Sequence, residues 1–552
     1  MSRDKLQSTE VDGVPVFWVP GERTLRASLW FRAGMADESL PTRGWLHLLE
    51  HMALHGRDSI RAPVNGQVSL LHSRFDVEGE PDDVVSFLRD VCRWLATPHF
   101  SELEHERRVL RAESATRDTG TVGSHLLWRY GARGPGVAGY DELGLHTAGA
   151  DRLRQLAAGA YARGNAVLAL TGAPPAGLEL PLCSGPHQPA LPAVPCDQPA
   201  PAGFAGGPGT VALSGTLPRS TAAAALLRAL QRALQRDLRH GSGVGYSAWS
   251  SYEIVDADHA MLTAGMDVLP EALPTVVSGT TAVLRRLRDL GPDPAELRDD
   301  VEREMRRLAT EPAENWLPFL AAREVLLGRP APGRDELTAE LESLTISDIQ
   351  HAARAMWNDL LLSADPDSAG DPQLSWLEGP PTPGIVAAGR RFRPAGSPVT
   401  KGVLTIGRSA AHIEATSRQT TAVYGDLAAL IAYPDGGRRL VRRDGYQVVI
   451  EPELWHQGHE AVALVDSAVP QPLHVVLPER TPDMIPRNSV TARQRLNYWL
   501  KHPAALVVLA LICGIALLAT TIVDITDELA KFIVVGVVVG AITYARQRRH
   551  GQ

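Results

Sequence analysis

Cysteine is scarce: the chain has four in 552 residues. So few cannot form a disulfide framework for a chain this long. Cys92 falls in a helical pattern and Cys513 in an apolar run, while Cys183 and Cys196 sit in a proline-rich stretch and are expected to be free thiols. A basic excess is missing too. The 55 Lys and Arg against 63 Asp and Glu give a formal net charge of −8, which lacks the footprint of a nucleic-acid-binding protein. No nucleic-acid partner is expected. The first 13 residues are polar, with no apolar h-region, so no signal peptide is expected. What is present is ordinary globular usage, 44% hydrophobic and 21% charged, which excludes whole-chain disorder.

Two proline-rich passages, 173–209 and 365–398, read as linkers, because such segments run neither as helix nor as central strand. They leave a first unit (1–172), a second (210–364) and a third (399–478). The first opens with strand-like VPVFWV and RASLWFRAG. Helical patterns follow over 42–55, 81–96, 101–116 and 150–162. The second repeats this order: strand GTVALSG, a long helix over 220–239, strand-like GVGYSAWSSYEIV and HAMLTAGMDV, then helices over 270–290, 294–309 and 346–357. Two α+β units in the same order point to a duplicated fold. The third unit has short strands with hairpin signals YPDGG and RRDGY and reads as a small β domain, whose strand order resembles pleckstrin-homology-like domains.

The chemistry is carried by HLLEH, 47–51. His47 and His51 are four apart, so a helix puts both imidazoles on one face. Two imidazole nitrogens can then reach one zinc ion at about 2.0–2.1 Å. Glu50 can project to the same place and take a proton from a zinc-activated water. The order H-x-x-E-H is the inverted zinc-peptidase (inverzincin) signature. Such a site needs one more protein ligand and an open position for water. FSELEHERRVLRAES offers two candidates. Ser101 and Glu104 suggest a capping box that starts a helix, and Glu106 and Glu113, seven apart, share a face of it.

These residues resemble the insulinase/pitrilysin-type zinc metallopeptidases, which include the mitochondrial processing peptidase. Family members follow the inverted motif with a helix reading like E-R-x-V-I-x-x-E, matched here by ERRVLRAE, 106–113. The resemblance implies Glu113 as third zinc ligand, Glu106 as a supporting carboxylate and one Zn2+ per chain. The spacing from His51 to Glu113 is 62, shorter than the family's usual, with the missing residues between His55 and Asn65. VNGQVS, with Asn65, looks like the family's substrate-pairing edge strand, although Gln67 stands at its aromatic position. LRHGSGVGYS resembles the family's phrase L-R-E-x-x-G-L-A-Y-S and implies Arg239 and Tyr246 as substrate-binding residues. The match covers roughly residues 10–364. Family members build a chamber from four α+β units. This chain supplies two, which implies a homodimer or a heterodimer with a related subunit, acting on peptides or unfolded protein segments.

At the C-terminus, 504–523 is an uncharged run of 20 residues and 532–545 a second apolar run. The first matches the bilayer thickness. Segment 479–503 is a basic juxtamembrane stretch, with Arg487, Arg493, Arg495 and Lys501 before the first run; Arg546, Arg548 and Arg549 follow the second, and acidic DITDE lies between. By the positive-inside rule both basic flanks stay cytoplasmic. The expectation is a transmembrane helical hairpin over 504–552, at the cell membrane, with the peptidase part and both termini in the cytoplasm; a re-entrant second segment is the alternative. Arg438, Arg439, Arg442 and Arg443 read as solvated turn charges, and no metal is assigned to Glu453, His456, His459 and Glu460. The sequence reading is therefore α+β: two metallopeptidase-like units, a small β domain and a membrane anchor. The function it implies is a membrane-anchored zinc metalloendopeptidase, with a catalytically silent peptide-binding or scaffold subunit as the alternative.

Overall fold

The computed structural model describes residues 5–21, 24–57, 62–116, 119–241, 245–365, 374–379, 388–395, 402–415 and 419–486. The apolar runs 504–523 and 532–545 lie outside these residues. Among the described residues, no helix is long and apolar enough to cross a membrane.

The first unit runs β1 (Gln7–Val11), β2 (Val14–Trp18), β3 (Leu25–Phe31), α1 (Trp45–Leu54), β4 (Val64–Val68), β5 (Ser73–Gly79), α2 (Pro81–Ala96), α3 (Leu103–Thr116), α4 (Gly120–Tyr130), α5 (Ala150–Ala160) and β6 (Ala166–Leu170). Its sheet has the order β1-β2-β6-β3-β5-β4. The all-buried run AVLAL makes β6 a central strand, parallel to β2 and antiparallel to β3. On the edge strand β4, the NGQ stretch is only partly buried.

The second unit runs β7 (Ala202–Ala205), β8 (Thr210–Pro218), α6 (Thr221–Leu234), β9 (Gly245–Ile254), β10 (His259–Val268), α7 (Leu273–Leu290), α8 (Pro294–Thr310), α9 (Leu317–Leu326), α10 (Arg334–Glu342), α11 (Ile346–Asn358), β11 (Leu361–Ala364) and β12 (Ser375–Leu377). Its order, β12-β7-β11-β8-β10-β9, repeats the first strand for strand from β7 to β9. The two units also exchange helices. From the second unit, α9 packs Ala322 and Leu326 on the back of the first sheet, against Trp30, Val167 and Ala169. From the first unit, α4 packs Trp128 on the back of the second, stacked on Phe204. His125 of α4 bonds Ser214 and Ser363 at 2.8 and 2.9 Å, and Arg129 pairs with Asp359 at 2.5 Å.

The first proline-rich passage, expected as a linker, packs on the two units it joins. Segment 173–201 has no regular element but is pinned along its length: Leu178, Leu180 and Leu182 join the first core, Cys183 and Gly185 carbonyls accept from Arg163 and Gly164, and Ala193 N donates to Asp256. Proline removes helix and ladder, not burial. Strands β7 and β12 lie within the stretches read as linkers. Cys183 and Cys196 are free thiols.

The third unit runs β13 (Gly389–Phe392), β14 (Gly402–Gly407), β15 (Ala410–Ala415), β16 (Gln419–Val423), β17 (Leu427–Ala432), β18 (Arg438–Arg442), β19 (Gln447–Ile450), α12 (Gly458–Ala468) and β20 (His474–Val476). It forms two four-stranded sheets, β13-β14-β15-β16 and β19-β18-β17-β20. YPDGG and RRDGY turn the hairpins β17–β18 and β18–β19, with Gly436 and Gly445 at positive φ. The arginines there are not all solvated. Arg442 is buried on Asp444 and the Thr421 carbonyl, and Arg438 forks onto Asp466. This unit docks on the first through Leu40, Val137 and Leu143, packed with Ile431, Val441 and Val475.

Candidate metal centre

α1 is placed by its ends and its buried face. Gly44, at φ +96°, precedes it in the left-handed region that favours glycine. Its N-terminus is capped from a distance: Glu38 accepts from Leu46 N at 2.8 Å and from Gly44 N at 3.0 Å, satisfying donors that a helix start leaves open. Trp45, Leu46, Leu48, Leu49 and Met52 are buried, each contributing about 1.5–3 kcal/mol. That burial fixes the rotation of the helix, so His47, Glu50 and His51 face one cavity of about 910 Å³.

Glu50 Oε2 lies 3.8 Å from His47 Nε2 and 4.0 Å from His51 Nε2. One donor atom from each of the three falls within 4.8 Å of the others. Glu113, from α3, brings Oε2 to 3.8 Å from His51 Nε2. The opposite nitrogens are held by carboxylates. His47 Nδ1 bonds Glu142 at 2.9 Å, and His51 Nδ1 bonds Glu106 at 3.3 Å. With Nδ1 donating to a carboxylate, each Nε2 presents its lone pair to the cavity, the arrangement that orients metal-binding histidines. The donor set fits a zinc-class cation: two imidazoles and a carboxylate, with a further carboxylate beside them.

Electrostatics point the same way. Burial, then repulsion from Glu113, Glu106 and Glu142 against the pull of His47, pushes Glu50 up to about 7. Burial lowers His51, with His47 adding to it. For His47 burial also opposes the charged form, but the Glu142 bond and nearby carboxylates leave it above the usual imidazole value. A site with this much acid gains from a cation.

The structure thus brings together His47, Glu50, His51, Glu106 and Glu113. Asn65 lines the same cavity from β4. Beside it, a Cβ on Gly66 would overlap Glu50 Oε1, so the strand backbone runs directly against that carboxylate. Of the other two expected residues, Arg239 is exposed beyond the end of α6 and is not among the residues lining the cavity, and Tyr246 falls on β9. The expected capping box at Ser101 is absent. The helix starts at Leu103, and Ser101 Oγ approaches His99 Nδ1 at 3.5 Å.

Three residues of the site carry no local sequence signal. Glu142 comes from the irregular stretch before α5, Arg43 sits 3.5 Å from Glu142 and 3.2 Å from Glu38, and Glu38 caps α1. Outside this site, His459 and Glu453 meet at 3.3 Å on the surface, and Glu460 pairs with Arg390.

No family model matches the chain, and neither does any curated protein. Solved structures do. A protease from Helicobacter pylori is 16% identical over 65% of this chain and 99% of its own, with a TM-score of 0.55. A peptidase M16 inactive domain from Pseudomonas fluorescens is 16% identical, covering 67% and 100%, at 0.56. Pitrilysin is 15% identical, covering 66% of this chain and 45% of its own, at 0.52. About two thirds of this chain therefore has the fold of M16 peptidases.

Proposed function

We propose that the chain is a zinc-dependent metalloendopeptidase that cleaves peptides or unfolded protein segments. The observation that carries this is the convergence of His47 Nε2 and His51 Nε2 on Glu50, with Glu113 Oε2 at 3.8 Å from His51 Nε2 and each histidine's Nδ1 on a glutamate. His47, His51 and Glu113 would hold one Zn2+ per chain. When bound, the ion supplies a Lewis acid that brings a water's pKa to about 7. Glu50 is the general base: its Oε2 faces both imidazoles, takes the proton and returns it to the leaving amine. The backbone of β4, at the sheet edge beside Glu50, binds the peptide as an added strand, with Asn65 along it. Glu106 and Glu142 keep the histidines in register.

Arg239, which does not line the cavity of its own chain, and Tyr246 would act in a paired subunit's chamber, where a cation and a phenol can stabilise the developing oxyanion. A homodimer would supply both halves of the site, and so would a heterodimer with a related subunit. Residues 504–552 would anchor the assembly as a membrane hairpin, with the peptidase part in the cytoplasm. A catalytically silent peptide-binding or scaffold subunit is the second reading. It is favoured by the likeness to a domain described as inactive and by the absence of Arg239 from the cavity's lining.

The test is zinc content and peptide cleavage by the full chain, wild type beside Glu50→Gln. One zinc in both, with cleavage only by the wild type, is expected. Stoichiometric zinc without any cleavage points to the silent subunit, and no zinc at stoichiometric supply overturns the metal assignment.

A further inference from the structure

The repeated topology makes the second unit's counterpart of the metal cavity locatable. α1 follows β3 and packs on the edge strand β4; α6 follows β8 and packs on the edge strand β9. Where α1 carries His47, Glu50 and His51, α6 carries Arg228, Gln231 and Arg232 at the same i, i+3, i+4 spacing. Each middle residue meets its edge strand. Glu50 lies against Gly66, and Gln231 Nε2 donates to the Ala248 carbonyl at 3.1 Å. Each trio also takes a carboxylate from the same later helix. α3 gives Glu106 to His51, and α8 gives Asp300 to Arg228 Nε at 2.9 Å and to Arg232.

The exchange of side chains inverts the sign of the cavity. It has about 560 Å³, and Arg228, Arg232, Arg236 and Arg303 line it against one lining carboxylate, Glu296. Asp300 is 1% exposed and lies beneath the arginines. Arg228, Arg232 and Arg303 share Asp300, and Arg236 pairs with Glu296 and Asp237, so four guanidinium groups meet three carboxylates and the cavity keeps a positive balance that an oxyanion would complete. Four guanidinium groups repel a metal ion, and their planar forks match carboxylate geometry. The β9 edge beside them is already occupied at Ala248, whose N–H donates to Gln235 Oε1 at 2.9 Å and whose carbonyl accepts from Gln231 Nε2. Side-chain or terminal recognition is what remains there.

We propose that this cavity is an oxyanion site, and that it takes a peptide carboxylate, an acidic side chain or a free C-terminus. The peptide as bearer rests on the metallopeptidase reading; the oxyanion chemistry does not.

The experiment uses the full chain carrying Glu50→Gln, so that bound peptide persists. The probes are a fluorescein-labelled Gly/Ser/Asp peptide with a free C-terminus, its amidated Gly/Ser/Asn analogue, and inorganic pyrophosphate. The test variant is Arg236→Gln with Arg303→Gln, which leaves Asp300 paired with Arg228 and Arg232. By anisotropy the acidic peptide should bind about tenfold tighter than the neutral one, as charge-assisted forks predict. The double variant should lose that preference at an unchanged thermal midpoint. Equal binding of the two peptides overturns the proposal, and so does a preference that survives in the double variant. Pyrophosphate binding without acidic-peptide binding overturns the peptide assignment. Zinc loading and cleavage by the Glu50-bearing chain are measured separately. If they fail while the preference holds, the metallopeptidase reading falls and the oxyanion site stands.

Discussion

Glu142 accepts a hydrogen bond from His47 Nδ1 at 2.9 Å across 95 residues of sequence. Its other neighbours explain how it is held there. Arg43 lies 3.5 Å away, and Gly44 leaves no Cβ in the path of the Glu142 side chain. Glu142→Gln should keep the fold but weaken the hold on His47. The expected loss is about 10–100-fold in zinc affinity, read by competition with a chelator. Unchanged affinity would remove Glu142 from the site.

Gly66 is the second position where the strand backbone decides the chemistry. A methyl group there would overlap Glu50 Oε1, and the carboxylate would have to turn away from His47 and His51. Gly66→Ala should therefore lower kcat by about 10²-fold, the scale of a misplaced catalytic group, while zinc content stays at wild-type level. Full turnover in this variant would show that Glu50 is not confined by β4.

The candidate metal site is legible wherever its geometry is local. His47, Glu50 and His51 share a helix face by spacing alone, and ERRVLRAE placed Glu106 and Glu113 on one neighbouring helix. Glu142, Arg43 and Glu38 were not legible, because their partners come from other parts of the chain and no periodicity marks them. The duplicated order of elements was visible, yet α4 and α9 were not. Each is short and packs on the other unit's sheet, so neither shows the one-sided pattern of a surface helix. For the proline-rich passage 173–209, composition reports the lack of helix but not the burial of Leu178, Leu180 and Leu182 or the short strand β7.

The docking of the third unit leads to a prediction about the metal centre. The stretch that carries Glu142 is held on both sides. Toward α1, Trp45 Nε1 donates to the Gly144 carbonyl at 2.8 Å. Toward the third unit, Leu143 packs with Val475, Ala132 N donates to the Arg443 carbonyl at 2.9 Å, and Tyr140 lies 3.5 Å from the Gly445 carbonyl. Val475→Ala should loosen Glu142 and lower zinc affinity. Val465→Ala, in the third unit's own core, should cost comparable stability, about 1–3 kcal/mol, without touching the metal. Equal zinc affinity in the two variants would sever the third unit from the site.

The seam between the first two units should be sensitive to acid. His125 is fully buried between Ser214 and Ser363, and burial, with Arg129 beside it, takes it down to about 3. Its folded form therefore stays neutral where the unfolded chain, at an ordinary value near 6.5, binds a proton. Between those two values the unfolded state holds more protons, so stability falls as the pH drops from about 6.5 toward 3. From pH 7 to pH 5 this one group should cost about 2 kcal/mol. Urea midpoints measured in the presence of a chelator, so that metal loss does not contribute, should show that slope. His125→Asn keeps a hydrogen-bonding side chain without the titration. It should lower stability at pH 7 and flatten the dependence on pH by about the same 2 kcal/mol. His72, also taken to about 3 by burial, remains in both proteins, so the variant retains part of the slope. An unchanged slope in His125→Asn would mean that the seam opens to water before the chain unfolds.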